Sequence, residues 1–147
     1  MENYRKLSHS VYRCEYHLVW VPKYRYQILV ADIKPRLKEI IRDLCEWMEV
    51  TIIEGAICPD HIHLYVDIPP KHSVSHVMQI LKGKSAERLR REFPELTKRY
   101  WGMHIWARGY FATTVGLDKE TIKKYVRNQQ EEQIREEQLG LWKDNDR

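Results

Sequence analysis

The stretch PDHIHLYVDIPP, residues 59–70, decides how the chain is read. Between its prolines, Ile62, Leu64, Val66 and Ile68 alternate with His61, His63, Tyr65 and Asp67. That unbroken two-residue period is the period of a β-strand, whose side chains point in turn to opposite faces. The aliphatic set therefore predicts the core face of a sheet. His61, His63, Tyr65 and Asp67 then stand together on the other face. Two imidazoles buried in the core would need partners to offset the cost, and placing them on the open face removes it.

Working outward, VTIIEGAIC (50–58) reads as a strand with Gly55 at a bulge, and Pro59–Asp60 as a tight turn. The two strands make a hairpin. Upstream, HSVYRCEYHLVWV (9–21) reads as one long strand ended by Pro22, since proline cannot donate to a ladder. Residues 32–48 carry Ile33, Leu37, Ile40, Ile41, Leu44 and Cys45 at helical spacing, with Asp32 as N-cap. After the breaker PPKH (69–72), Ser73 caps a second helix bearing Val74, Val77, Met78, Leu81 and Leu89. Gly83 interrupts it and offers room for another backbone, and Pro94 marks its end. MHIWARGYF (103–111) contains a short strand and a turn at Gly109. A last helix follows Gly116, with Asp118 as its N-cap.

The order is strand, helix, strand, strand, helix, strand, helix. It predicts an α+β chain with a ferredoxin-like (RRM-like) antiparallel sheet, helices on one face and one additional C-terminal helix. With 147 residues, 43% hydrophobic and 31% charged, residues 1–147 make one soluble domain with a sizeable core. No run is apolar enough to cross a bilayer, and MENYRKLSHS has no apolar leader core, so we expect a cytoplasmic protein without a membrane partner. Cys14, Cys45 and Cys58 show no ligand spacing and suit a reducing compartment.

Net charge is only +4, but it is unevenly spread. Lys82, Lys84, Arg88, Arg90 and Arg91 cluster in LKGKSAERLRR, and Lys23 and Arg25 flank Tyr24 in KYRY. Basic residues interleaved with aromatics suit a surface that follows a nucleic-acid backbone. We take Lys23, Tyr24, Arg25, Lys82, Lys84, Arg88 and Arg108 as candidate nucleic-acid contacts, each with a solvated surface role as the alternative.

A His-x-His on a strand offers two nitrogens to one ion, although solvated or hydrogen-bonded pairs share the pattern. His17 and His104 can supply a third ligand, whereas His72 and His76 suit surface or capping roles. The last helix offers another completion. Tyr125 and Gln129 are four residues apart and project from one helix face. If that face meets the histidines, the Gln129 carbonyl reaches the metal and Tyr125 faces what the metal polarises.

Five segments together carry a resemblance: YHLVWVPKYR (16–25), PDHIHLYVDIPP (59–70), LKGKSAERL (81–89), WARGYF (106–111) and TIKKYVRNQQ (121–130). In this order they resemble the single-tyrosine transposases of the insertion-sequence 200/605 family, within the His-hydrophobic-His nucleases. The resemblance implies His61, His63 and Gln129 as ligands of a divalent metal, Mg²⁺ or Mn²⁺, and Tyr125 as the nucleophile, carried on a catalytic helix over 117–138. It implies cleavage and rejoining of single-stranded DNA at element ends through a 5′-phosphotyrosine, with subterminal hairpins recognised. It also implies a homodimer, in which the tyrosine helix of one subunit can complete the other's site. Alternatives are a catalytically silent single-stranded nucleic-acid binder of the same fold and a domesticated relative.

Overall fold

A computed structural model of the chain describes residues 4–7, 10–102, 104–114 and 120–129. A small hairpin of β1 (Arg5–Leu7) and β2 (Ser10–Tyr12) opens the chain. β3 (Glu15–Trp20), helix α1 (Ile33–Trp47), β4 (Thr51–Cys58), β5 (His61–Asp67), helix α2 (Val74–Glu92), the short helix α3 (Pro94–Arg99) and β6 (Phe111–Thr113) follow. Residues 120–129 are helical. β3 to β6 form one antiparallel sheet in the order β4-β5-β3-β6. This is the ferredoxin-like order: the β4–β5 hairpin slots β5 beside β3, and the chain returns through α2 to place β6 on the other flank of β3.

The register assigns the two faces. Tyr16, Leu18 and Trp20 lie opposite Val66, Leu64 and Ile62, while His17 and Val19 lie opposite Tyr65 and His63. Leu18, Trp20, Ile62, Leu64 and Val66 pack against Leu37, Ile40, Ile41 and Leu44 of α1 and Val77, Met78, Leu81 and Leu89 of α2. Each such side chain, removed from water, contributes roughly 1.5–3 kcal/mol. The alternation read from residues 61–68 is thus the observed one at Ile62, Leu64 and Val66, all buried. On the opposite face a separate apolar cluster joins Val21, Ala107 and Val126. The 120–129 helix therefore docks on the face that α1 and α2 leave open.

Several local readings change. The expected long strand 9–21 is broken after Tyr12, because the Cys14 N–H donates to the Asp67 side chain at 3.0 Å instead of to a ladder. Asp67, expected on the open face, is fully buried there. Asp32 precedes α1, but its side chain makes no cap bond. Ser73 does cap α2, accepting from the His76 N–H at 3.0 Å. The β4 irregularity lies between Ile52 and Glu54, not at Gly55. Gly55 answers a packing need instead, since a Cβ there would sit 2.9 Å from Leu64 Cδ2. α2 runs through Gly83 unbroken, and among the described residues a Cβ at Gly83 would meet nothing within 4 Å, so none of their backbone approaches it closely. Pro94 starts α3, where its missing N–H costs nothing. The strand expected within 103–111 begins only at Phe111, after the turn at Gly109 (φ +83°). Asp118, and 117–119 and 130–138 of the expected catalytic helix, lie outside the described residues.

Candidate active site on the open face of the sheet

His61 opens β5 and is held from behind. Its Nδ1 lies 2.9 Å from Asp60 Oδ1, and the other Asp60 oxygen accepts from Arg25 Nε at 2.9 Å. Arg25 reaches Asp60 from a single helical turn, Lys23–Arg25, in which Tyr24 and Arg25 adopt left-handed backbone (φ 60° and 54°). Such conformations are costly for residues with a Cβ and persist where surroundings impose them. Burial alone would raise the Asp60 carboxyl, but the bonds from His61 and Arg25 outweigh it and hold it below its ordinary range. A carboxylate on Nδ1 fixes the ring and leaves Nε2 as the outward nitrogen, the arrangement that metal-binding histidines use.

His63 is held from the side. His17 Nδ1, on β3, lies 3.1 Å from His63 Nε2, with the rings 5.3 Å apart. His17 also stacks on Tyr65, centroids 4.2 Å apart and planes within 7°. The Tyr65 hydroxyl donates to Glu15 Oε1 at 2.9 Å, and Arg13 Nε donates to the same oxygen at 2.9 Å. Burial first, and then His17, push His63 below its ordinary value, which favours the neutral, ligating form.

Tyr125 rises from the 120–129 helix, which is seated by Val126 against Val21 and Ala107, with Ile122 and Tyr125 packed at its edge. The Tyr125 ring lies 5.5 Å from that of Phe111. Phe111 pairs with Val19, and Val19 with His63, so Tyr125 sits over the same face as the histidines. Two strand spacings separate Phe111 from His63, about 10 Å. Burial pushes the Tyr125 phenol up to about 12. Gln129 follows one helical turn later, half-buried.

The donor set can be judged from these contacts. Two imidazoles share one face, and among the described residues His61 Nε2 has no hydrogen-bond partner. Among the described residues no group of three His, Cys, Asp or Glu side chains is placed to hold a metal ion. Two imidazoles without a surrounding set of charged ligands suit a divalent ion that keeps open positions for oxygen ligands. Ligation through His63 Nε2 would exchange its bond to His17.

Comparison with known proteins bears on this arrangement. The family described as "Transposase IS200 like" matches residues 10–129. The chain is 41% identical over 141 residues to the "Transposase for insertion sequence element IS200" of Salmonella typhimurium, covering 96% of this chain and 93% of that one. The chain belongs to the IS200-like transposase family. It is also 35% identical to the "ISDra2 transposase TnpA" of Deinococcus radiodurans, covering 84% of this chain and 89% of the relative. A crystal structure of a transposase from Deinococcus radiodurans R1 superposes with TM-score 0.78 at 35% identity, covering 85% of this chain and 97% of the other. The fold is shared more distantly, at TM-score 0.52 and 14% identity, by a REP-associated tyrosine transposase solved with a REP hairpin, covering 83% of this chain and 68% of that one.

As an IS200-like transposase, the chain is an enzyme, and its basic residues can be sorted by what they already hold. Arg25 is committed to Asp60. Lys82, half-buried, donates to the carbonyls of Ala107 and Gly109 at 2.9 and 2.7 Å. Lys84 is exposed and lies 3.7 Å from Glu87. Lys23, Arg90, His104 and Arg108 line a pocket of about 510 Å³ with Lys82, Gly83, Ala86 and Trp106, and no carboxylate among the described residues lines it. The Lys23 ammonium sits 5.2 Å from the Tyr24 ring centroid. Arg88, half-buried on α2, is not among the pocket's lining residues. His104, one option for a third ligand, faces this pocket, whereas His72 Nε2 meets the Met48 carbonyl at 3.0 Å. Sequence reasoning missed Asp60 and Glu15 as parts of the site, and placed Tyr65 on the histidine face without giving it a role. The signal for Asp60 was its place immediately before His61.

Proposed function

We propose that this transposase cleaves and rejoins single-stranded DNA at insertion-sequence ends through a 5′-phosphotyrosine on Tyr125. His61, His63 and Gln129 would hold a divalent metal, Mg²⁺ or Mn²⁺, and subterminal hairpins would present the ends. The observation that carries this reading is the docking of the Tyr125 helix on the sheet face that bears His61 and His63. The metal, when bound, supplies Lewis-acid polarisation of the phosphate oxygens.

The chain's own residues account for the rest. Tyr125 Oη loses its proton and attacks phosphorus; the bond from phosphorus to the 3′-oxygen breaks, and that oxygen leaves as a 3′-hydroxyl. The new phosphotyrosine diester replaces the old diester, so a second 3′-hydroxyl can attack it and restore Tyr125 without ATP. Asp60 and Arg25 orient His61, while His17, stacked on Tyr65, holds the metal-free His63. The tyrosine helix packs on its own subunit here, and in a homodimer it can instead serve the partner. Among the described residues β4 is an outer strand with Ile53 40% exposed, an edge that could pair with a second copy. A REP hairpin bound to a transposase of the same fold supports a hairpin as the DNA form.

The test is a denaturing gel of the protein incubated with Mg²⁺ and end-labelled single strands carrying the element's hairpins. The wild type forms a covalent adduct and joined product. Tyr125→Phe forms none but still shifts the hairpin, and His61→Ala loses cleavage. Hairpin binding without any wild-type adduct would instead support the silent binder.

A further inference from the structure

Residues 105–109 form a strap between two elements. On one side the Lys23 N–H donates to the Ile105 carbonyl at 2.7 Å, the Ala107 N–H to the Val21 carbonyl at 2.9 Å, and Pro22 bridges Trp106. On the other side α2 holds the strap by two side chains. Lys82 Nζ donates to the carbonyls of Ala107 and Gly109, and the buried Trp106 Nε1–H donates to Ser85 Oγ at 3.0 Å. Ser85 is itself fully buried and donates to the Lys82 carbonyl at 3.2 Å.

The strap then seats the tyrosine helix. Ala107 is the middle member of the Val21–Ala107–Val126 cluster, and Phe111, two residues past Gly109, meets the Tyr125 ring. We propose that Lys82, with Ser85, is a positioning residue that sets where Tyr125 stands, and is not a phosphate contact. Its amine spends two of three N–H bonds on main-chain carbonyls and is half-buried doing so. A compact ammonium can meet two carbonyls on one turning backbone, whereas a planar guanidinium cannot take its place without moving them. The consequence for catalysis rests on the role proposed for Tyr125, but the contact itself is tested without DNA.

The experiment is hydrogen exchange by mass spectrometry on the full chain, comparing Lys82→Met, Lys82→Arg and Ser85→Ala with the wild type. Each variant should speed exchange in peptides spanning 105–111 and 120–129 by about tenfold or more, the loss of one charge-assisted or buried hydrogen bond, with β3 and β5 unchanged. Binding of a fluorescein-labelled oligothymidine by Lys82→Met should keep the wild-type salt slope. Where cleavage is established, kcat falls and KM for DNA holds. The proposal is overturned if exchange at 120–129 is unchanged in the Lys82 variants, or if it rises equally throughout the sheet. It is also overturned if the salt slope drops by about 0.7, the signature of one lost phosphate contact on a single strand.

Discussion

His17 Nδ1 lies 3.1 Å from His63 Nε2, across the β3–β5 ladder. One nitrogen of the His-x-His stretch is therefore already engaged by a residue of the neighbouring strand. The pairing also sets a titration. Burial, followed by the nearby His17, holds His63 below its ordinary value of 6.5. A depressed histidine is neutral in the fold at pH values where the unfolded chain is already charged. The associated stability is present above about pH 6.5 and is lost as pH falls through the folded value. Imidazole NMR on the metal-free chain should find His63 titrating below 6.5, moving back up in His17→Gln. A His63 midpoint at or above the ordinary value contradicts this.

Asp60 joins His61 to Arg25, with 2.9 Å on each side. In Asp60→Asn, the amide cannot accept from both partners. Mn²⁺ affinity, read from the free-ion EPR signal, should fall by about 10–100-fold, the usual effect of losing a ligand's hydrogen-bond partner. Affinity equal to wild type would show that His61 needs no such orientation.

Tyr125 offers an alkaline readout. Its phenol is raised by burial to about 12 from an ordinary 10. The folded chain thus keeps a proton that the unfolded chain gives up. Stability from this burial is complete below pH 10 and is lost as pH rises through about 12. Near-ultraviolet tyrosinate absorbance, taken as wild type minus Tyr125→Phe, should show one late-titrating phenol. A difference curve centred at pH 10 would place the ring in solvent.

Asp67 is fully buried, with one oxygen taking the Cys14 N–H at 3.0 Å and the other 3.8 Å from Arg5 Nε without a hydrogen bond. Asp67→Ala removes the acceptor from Cys14 and should cost about 1–3 kcal/mol in urea unfolding. Asp67→Asn keeps an acceptor and should cost less. Equal losses in the two variants would mean that the charge facing Arg5, and not the Cys14 bond, is what matters.

The sheet was legible because alternation survives wherever one face must be buried, as Ile62, Leu64 and Val66 show. Helices α1 and α2 were legible from their apolar stripes. What escaped depends on contacts distant in sequence. The break at Cys14 needs Asp67, 53 residues away. The capture of Lys82 needs the carbonyls of Ala107 and Gly109, and a lysine in a basic run gives no sign of that. His17 looked like one of several spare histidines, because only the β3–β5 register brings it to His63. The pairing of Tyr125 with Gln129 followed from helical spacing, but their docking face depended on Val126 finding Val21 and Ala107.

The most direct test of the central claim is peptide mapping of the protein–DNA adduct by mass spectrometry after Mg²⁺-dependent cleavage of a hairpin-bearing single strand. The account predicts a nucleotide-phosphate remnant on the peptide containing Tyr125, linked through the 5′-phosphate. A remnant on any other residue, or cleavage in Mg²⁺ that leaves no covalent remnant, would contradict it.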